Sequence, residues 1–146
     1  MKIRFVQNNK TMVRKTGKIL FTHFGISGPL ILNTAKEVKE LLNQGDVTAS
    51  IDMFPDTDIA DLDRRIWRIF EQNKNKLVKN VITELVPKRI SQELFKLSPH
   101  DISEKQVNDV SKDERKALAT LCKDMQFSIT GTMGWDKAVI ADGGVV

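Results

Sequence analysis

Residues 47–62 read Val-Thr-Ala-Ser-Ile-Asp-Met-Phe-Pro-Asp-Thr-Asp-Ile-Ala-Asp-Leu, and inside this stretch the apolar period changes. Val47, Ala49, Ile51 and Met53 alternate with Thr48, Ser50 and Asp52, the period of a half-buried strand, which ends at Pro55. Asp56-Thr57-Asp58 can cap a helix, and Ile59, Leu62, Ile66, Ile69 and Phe70 then recur at helical spacing. The helical pattern continues. Leu77, Val78, Val81, Ile82 and Leu85 mark a second helix, and Pro87 opens a third through Ile90, Leu94 and Phe95. Ser103 with Gln106 and Ser111 with Glu114 have the form of capping boxes, the second starting a helix through Leu118 and Leu121.

Outward from this block the two-residue period returns on both sides. Lys2–Gln7 alternates, Asn8-Asn9-Lys10 turns, and Met12 and Val13 lie in the returning strand of a hairpin. Lys18–Phe24 suits a buried strand, and beyond the turn Gly25-Ile26-Ser27-Gly28-Pro29 a helix is expected through Leu30, Ile31, Ala35, Val38, Leu41 and Leu42 to a stop at Gly45. Toward the C-terminus, Met125–Thr132 alternates, Gly131–Trp135 turns, and Lys137–Ala141 makes a last strand. The expectation is an α+β fold: a small β-barrel or sheet formed from both chain ends, residues 1–55 and 125–146, with an all-helical subdomain, residues 56–124, inserted between them.

The 146 residues are 40% apolar and 29% charged with net charge +4, the size and balance of one globular domain. No run approaches the roughly 18 apolar residues of a membrane-spanning helix. The N-terminus lacks the apolar core of a signal peptide, and the single cysteine, Cys122, reads as a small hydrophobe on a helix face, so a cytoplasmic location is expected. With one Cys and two His, His23 and His100, no metal site is expected; Asp56, Asp58, Asp61 and Asp63 suit the first turn of a helix. His100, beside Pro99 and Asp101, reads as a turn residue. Residues 1–22 hold six cations, Lys2, Arg4, Lys10, Arg14, Lys15 and Lys18, and no acid. They read first as the solvated face of an edge hairpin and second as a polyanion footprint. Trp67, among Arg64, Arg65 and Arg68, reads first as a partly buried helical residue and second as a surface on which a ring could stack.

The segment from Phe21 to Asn33 is the best candidate for chemistry. Backbone N–H groups at a helix start reached through Gly25 and Gly28 would suit an anionic or electron-rich group, with the Ser27 hydroxyl and the His23 imidazole beside them; the plainer reading is a tight strand-to-helix connection. Ser27 lies one residue too close to Gly28 for a nucleophile elbow, and neither a dinucleotide fingerprint nor a P-loop occurs. Two Gly-x-x-Gly segments, 25–28 and 131–134, each follow a strand pattern, where an RNA-clamping loop of that form wants a helix.

Ile19–Pro29 with Leu32-Asn33, Ile51-Asp52 with Pro55-Asp56, Leu85-Val86-Pro87-Lys88-Arg89, and Phe127–Thr132 through Gly134, Trp135 and Ala138 follow one another in an order that resembles the HI0933-like, or BaiN-type, NAD(P)/FAD-dependent flavoprotein oxidoreductases. The end, Ala141-Asp142-Gly143-Gly144-Val145, is similar to that family's return into its flavin domain, with Asp142 as an extra or substituted residue. The resemblance implies that the whole chain is a fragment inserted in a larger bacterial FAD-binding protein, where it covers the flavin and shapes the substrate pocket without being catalytic alone. It implies FAD in the full-length parent, with NAD(P)H as a candidate co-substrate, and no cofactor on the isolated fragment. Gly143 and Gly144 would approach the cofactor; Thr22, His23, Gly25, Ser27 and Gly28 would form a loop facing the flavin or substrate; no catalytic residue is assigned. The expected partners are the FAD-binding domain of the same parent and a small-molecule substrate, not a membrane or a nucleic acid. A standalone basic nucleic-acid-binding module is the second reading and a purely structural interaction domain the third.

Overall fold

A computed structural model of the chain describes residues 1–22, 25–98, 101–132 and 137–140. The chain folds as two compact units, Met1–Met53 with Asp124–Val146, and Phe54–Lys123.

In the first unit, alternation sets the register. Strands β1 (Lys2–Gln7) and β2 (Lys10–Thr16) pair antiparallel with Gln7 opposite Lys10, leaving Asn8 and Asn9 as a two-residue turn. Both asparagines take positive φ, 54° and 62°, as a type I′ hairpin turn requires. Five further strands follow: β3 (Leu20–Thr22), β4 (Gly25–Ser27), β5 (Val47–Asp52), β6 (Met125–Thr132) and β7 (Lys137–Ile140). Among the described residues the sheet runs β2-β1-β5-β6-β7-β4-β3, antiparallel throughout. The β5–β6 ladder, with Val47 opposite Ile129 and Ile51 opposite Met125, joins the two chain ends. Ile3, Phe5, Ala49, Ile51, Met125, Phe127 and Ile129 are buried along these strands, so the chain has the expected α+β fold.

Two short helices, α1 (Pro29–Leu32) and α2 (Ala35–Leu42), replace the single helix expected up to Gly45. The break falls at Asn33-Thr34, where the buried Thr34 hydroxyl donates to the Ile31 carbonyl at 3.1 Å and the Leu30 carbonyl at 3.3 Å. A side chain that bonds backward in this way competes with the helical ladder. At the other end of α2 the buried Gln7 amide donates to the Leu41 carbonyl at 2.6 Å, satisfying one of the acceptors a helix leaves open.

The second unit is helical: α3 (Ile59–Glu71), α4 (Val78–Val81) leading into a 3-10 turn (Ile82–Glu84), α5 (Lys88–Leu97), a 3-10 turn (Val107–Asp109) and α6 (Lys112–Lys123). Asp58 caps α3 by accepting from the Asp61 N–H at 2.8 Å. Leu62, Ile66 and Phe70 of α3, Leu94 of α5, and Leu118, Ala119 and Cys122 of α6 form its core, together with Val78, Val81 and Ile82. Asp63 and Arg115 join α3 to α6, Arg115 Nε lying 2.8 Å from the carboxylate. Lys123 Nζ donates to the carbonyls of Phe54 at 2.8 Å and Thr57 at 2.7 Å, tying the two ends of the unit.

Of the two expected capping boxes, only the second starts a helix. The Ser103 N–H turns to Asp101 Oδ1 at 2.8 Å, while Gln106 bridges to Leu77. At α6 the bonds are reciprocal: Ser111 Oγ accepts from the Glu114 N–H at 3.1 Å, and Glu114 Oε1 accepts from the Ser111 N–H at 3.0 Å. The Ser111 N–H, and after it the Lys105 ammonium, hold the Glu114 carboxyl below its ordinary 4.5. A depressed carboxyl favours the folded state above its ordinary value, and that contribution fades as pH falls through the folded value. Ser111→Ala is expected to cost about 1 kcal/mol. The stability difference between the native chain and Glu114→Gln should shrink when urea melts at neutral pH are repeated in acid.

Candidate functional site

The segment expected to face a ligand is largely sheet. Thr22 ends β3, while Gly25 and Ser27 belong to β4, opposite Thr22 and Leu20 on one side and Val139 and Lys137 on the other. The expected turn at Gly25–Ser27 is therefore a strand paired along both edges, because β7 offers it a second partner that short-range patterning cannot reveal. Gly28 takes φ +113°, and a Cβ there would lie 3.2 Å from the Lys18 carbonyl oxygen. Its glycine serves a close backbone approach. With β4 committed to two ladders and α1 only four residues long, the described part of this segment forms no cradle for a flavin phosphate. His23, Gly143 and Gly144, like His100, lie outside the described residues.

The N-terminal cations divide. Arg4 Nη2 donates to Ser50 Oγ at 3.1 Å and lies 3.7 Å from Asp124, whereas Lys10 and Arg14 are exposed on β2, at one end of the sheet order. Cations on a terminal strand discourage edge-to-edge pairing.

A different set of cations converges in the helical unit. A groove of about 810 Å³ is lined by Lys79 and Asn80 of α4, by Lys88, Ser91, Gln92, Phe95 and Lys96 of α5, and by Asp101 and Ser103. Lys79 pairs with Glu104 at 2.9 Å and Lys96 with Glu93 at 3.4 Å, both at the surface. Exposed pairs of this kind contribute about 0–1 kcal/mol, so either lysine can exchange its carboxylate for an incoming anion at little cost. Among the described residues no carboxylate pairs with Lys88. The Ser103 hydroxyl and then its backbone N–H hold the Asp101 carboxyl below its ordinary 3.8, so it stays ionised and is occupied with Ser103. The first turn of α5 carries Lys88 and Arg89 and no acid, which leaves the positive end of the helix uncompensated. Three spaced cations among amide and hydroxyl groups suit an extended polyanion. The sequence does not group Lys79, Lys88 and Lys96 as a site because they are spread over two helices, and charge clustering in one dimension points to residues 1–22.

The antiparallel sheet and the helical unit inserted in its sequence define an α+β protein. The chain belongs to the HI0933-like family: the model described as "HI0933-like protein barrel and H2TH domain" matches residues 1–140. Over 138 residues it is 31% identical to the ribosomal RNA dihydrouridine synthase of Escherichia coli (strain K12), a match covering 94% of this chain and 31% of that protein. Over 130 residues it is 27% identical to the ribosomal RNA dihydrouridine synthase of Haemophilus influenzae, covering 88% and 29%. The chain thus spans about a third of the length of these curated relatives.

These findings correct the functional expectation. The family resemblance holds, but the flavin-covering, substrate-pocket insert of an oxidoreductase does not: the relatives are named for a modification of ribosomal RNA, and the family description joins the barrel to an H2TH domain. The nucleic-acid-binding alternative, placed second on the sequence, accords better with them. The physical reason lies in the helical unit, where folding gathers lysines that are far apart in the chain. Among the described residues no helix is long and apolar enough to cross a membrane.

Proposed function

We propose that this chain is an RNA-binding part of a bacterial, cytoplasmic enzyme that modifies ribosomal RNA, and that the groove of Lys79, Lys88 and Lys96 receives the sugar-phosphate backbone. The groove is the observation that carries the reading: three lysines spaced along its walls, with amide and hydroxyl groups between them, suit successive phosphates. The names of the relatives support RNA as the polyanion. In the parent enzyme a flavin with a nicotinamide co-substrate would supply reducing equivalents; no described residue of this chain is assigned to either.

The test is a titration of the intact protein with a ribosomal RNA fragment between about 50 and 200 mM salt. A linear fall of log affinity with log salt is the expected result. Absence of binding at the lowest salt, or affinity indifferent to salt, overturns the reading.

A further inference from the structure

Trp67 is 47% exposed on α3, although Ile66 beside it and Leu62 and Phe70 on the same helix are buried. It lines a second cleft of the helical unit, of about 150 Å³, with Phe70, Glu71, Lys74, Asn108 and Arg115 among the other walls. The far wall is held in place: the Asn108 N–H donates to the Lys74 carbonyl at 2.9 Å, and Arg115 is fixed by Asp63. Glu71 and Lys74 are taken up with one another at 3.2 Å. Two polar groups stay open. Neither the Trp67 indole N–H nor the Asn108 side-chain amide makes a hydrogen bond among the described residues.

We propose that this cleft takes one unpaired nucleobase of the RNA, stacked on Trp67 with its edge toward the Asn108 amide; the inference rests on the reading of the protein as RNA-binding. The volume of about 150 Å³ accommodates a single ring, and a pyrimidine is the base with one ring. Chemistry argues for a base edge, because an amide offers one acceptor and two donors and unstacked bases are read on their edges by such groups. Charge argues for a nucleotide over an apolar ligand. Arg64 and Arg68 lie three residues before and one after Trp67 along α3; Arg64 is paired with Asp61, which holds its guanidinium further into the charged form, while Arg68 has no carboxylate partner among the described residues. Arg65 is turned away to the Phe54 ring, 5.6 Å from its centroid.

The experiment uses the intact protein and single-stranded oligouridylate, with an abasic oligonucleotide of equal length beside it. Trp67→Leu preserves apolar bulk but not a stacking surface, and should weaken oligouridylate binding about tenfold with the salt slope unchanged, because stacking is worth a roughly constant amount per base and the slope counts phosphates. Trp67→Phe should retain most of the affinity. The native protein should bind the abasic strand more weakly than oligouridylate, by a margin that Trp67→Leu removes. If oligouridylate and abasic strands bind equally, or Trp67→Leu binds as the native protein does, the cleft is not a base site even though the RNA reading stands. If the native protein binds neither strand nor ribosomal RNA at low salt, it is the RNA reading that fails.

Discussion

Replacing Lys79, Lys88 and Lys96 together by glutamate is expected to weaken the intact protein's binding to ribosomal RNA by roughly 50-fold near 0.15 M salt. Each cation that neutralises a phosphate of a single strand contributes about 0.7 to the slope of log affinity against log salt, so losing three lowers the slope by about 2 and gives that factor. Repulsion from the new carboxylates adds to it. The folded state should tolerate the change, because all three lysines are exposed and two of their ion pairs lie at the surface. Replacement by glutamine at the same positions guards against a folding artefact: it removes the cations without placing like charges beside Glu104 and Glu93. A triple glutamine variant with native slope and affinity would remove the groove from the interface, and a charge-independent loss in both variants would point to damage in the helical unit.

Leu62→Ala is expected to cost about 3 kcal/mol of stability. Leu62 is fully buried on α3, beside Ile66 and Phe70, at the face that meets α6. Removing its branched end loses the transfer free energy of the deleted carbons and leaves a cavity that a close-packed helical core relaxes into only partly. Against a typical net stability of about 5–15 kcal/mol, the loss lowers the melting temperature by on the order of 10 °C or more for a unit of this size. Thermal melts followed by circular dichroism at 222 nm check it. A change within about 0.5 kcal/mol would mean that the α3 face is not packed as described. Because Trp67 and the lysine groove depend on the same helical unit, RNA affinity should fall with the folded fraction, whereas the lysine variants should lose affinity while fully folded.

Asn8-Asn9 needs only its own geometry and two alternating flanks to announce a two-residue hairpin, and the hairpin is there. The Ser111–Glu114 box is legible for the same reason: its donors and acceptors lie within four residues. The same pattern at Ser103 and Gln106 misleads, because Asp101 and Leu77 bid for those groups, and Leu77 comes from far along the chain. Thr34 interrupts a helix that periodicity alone would continue, since apolar spacing is silent about a hydroxyl turning back on its own ladder.

The change of period at Pro55, the α+β class that follows from it, most strand and helix cores, and the order of motifs that marks the HI0933-like family are all legible in the order of residues. Each rests on neighbours within a few positions or on serial order. It took the assembled fold to choose β5 and β6 as the strands through which the two chain ends pair, and to make Gly25–Ser27 a strand between two partners. The same assembly places Lys79, Lys88 and Lys96 in one groove and leaves Trp67 half exposed beside Asn108. Periodicity shows which face of an element turns inward but not what it meets there, and a binding surface is made of groups that only the meeting of elements brings together.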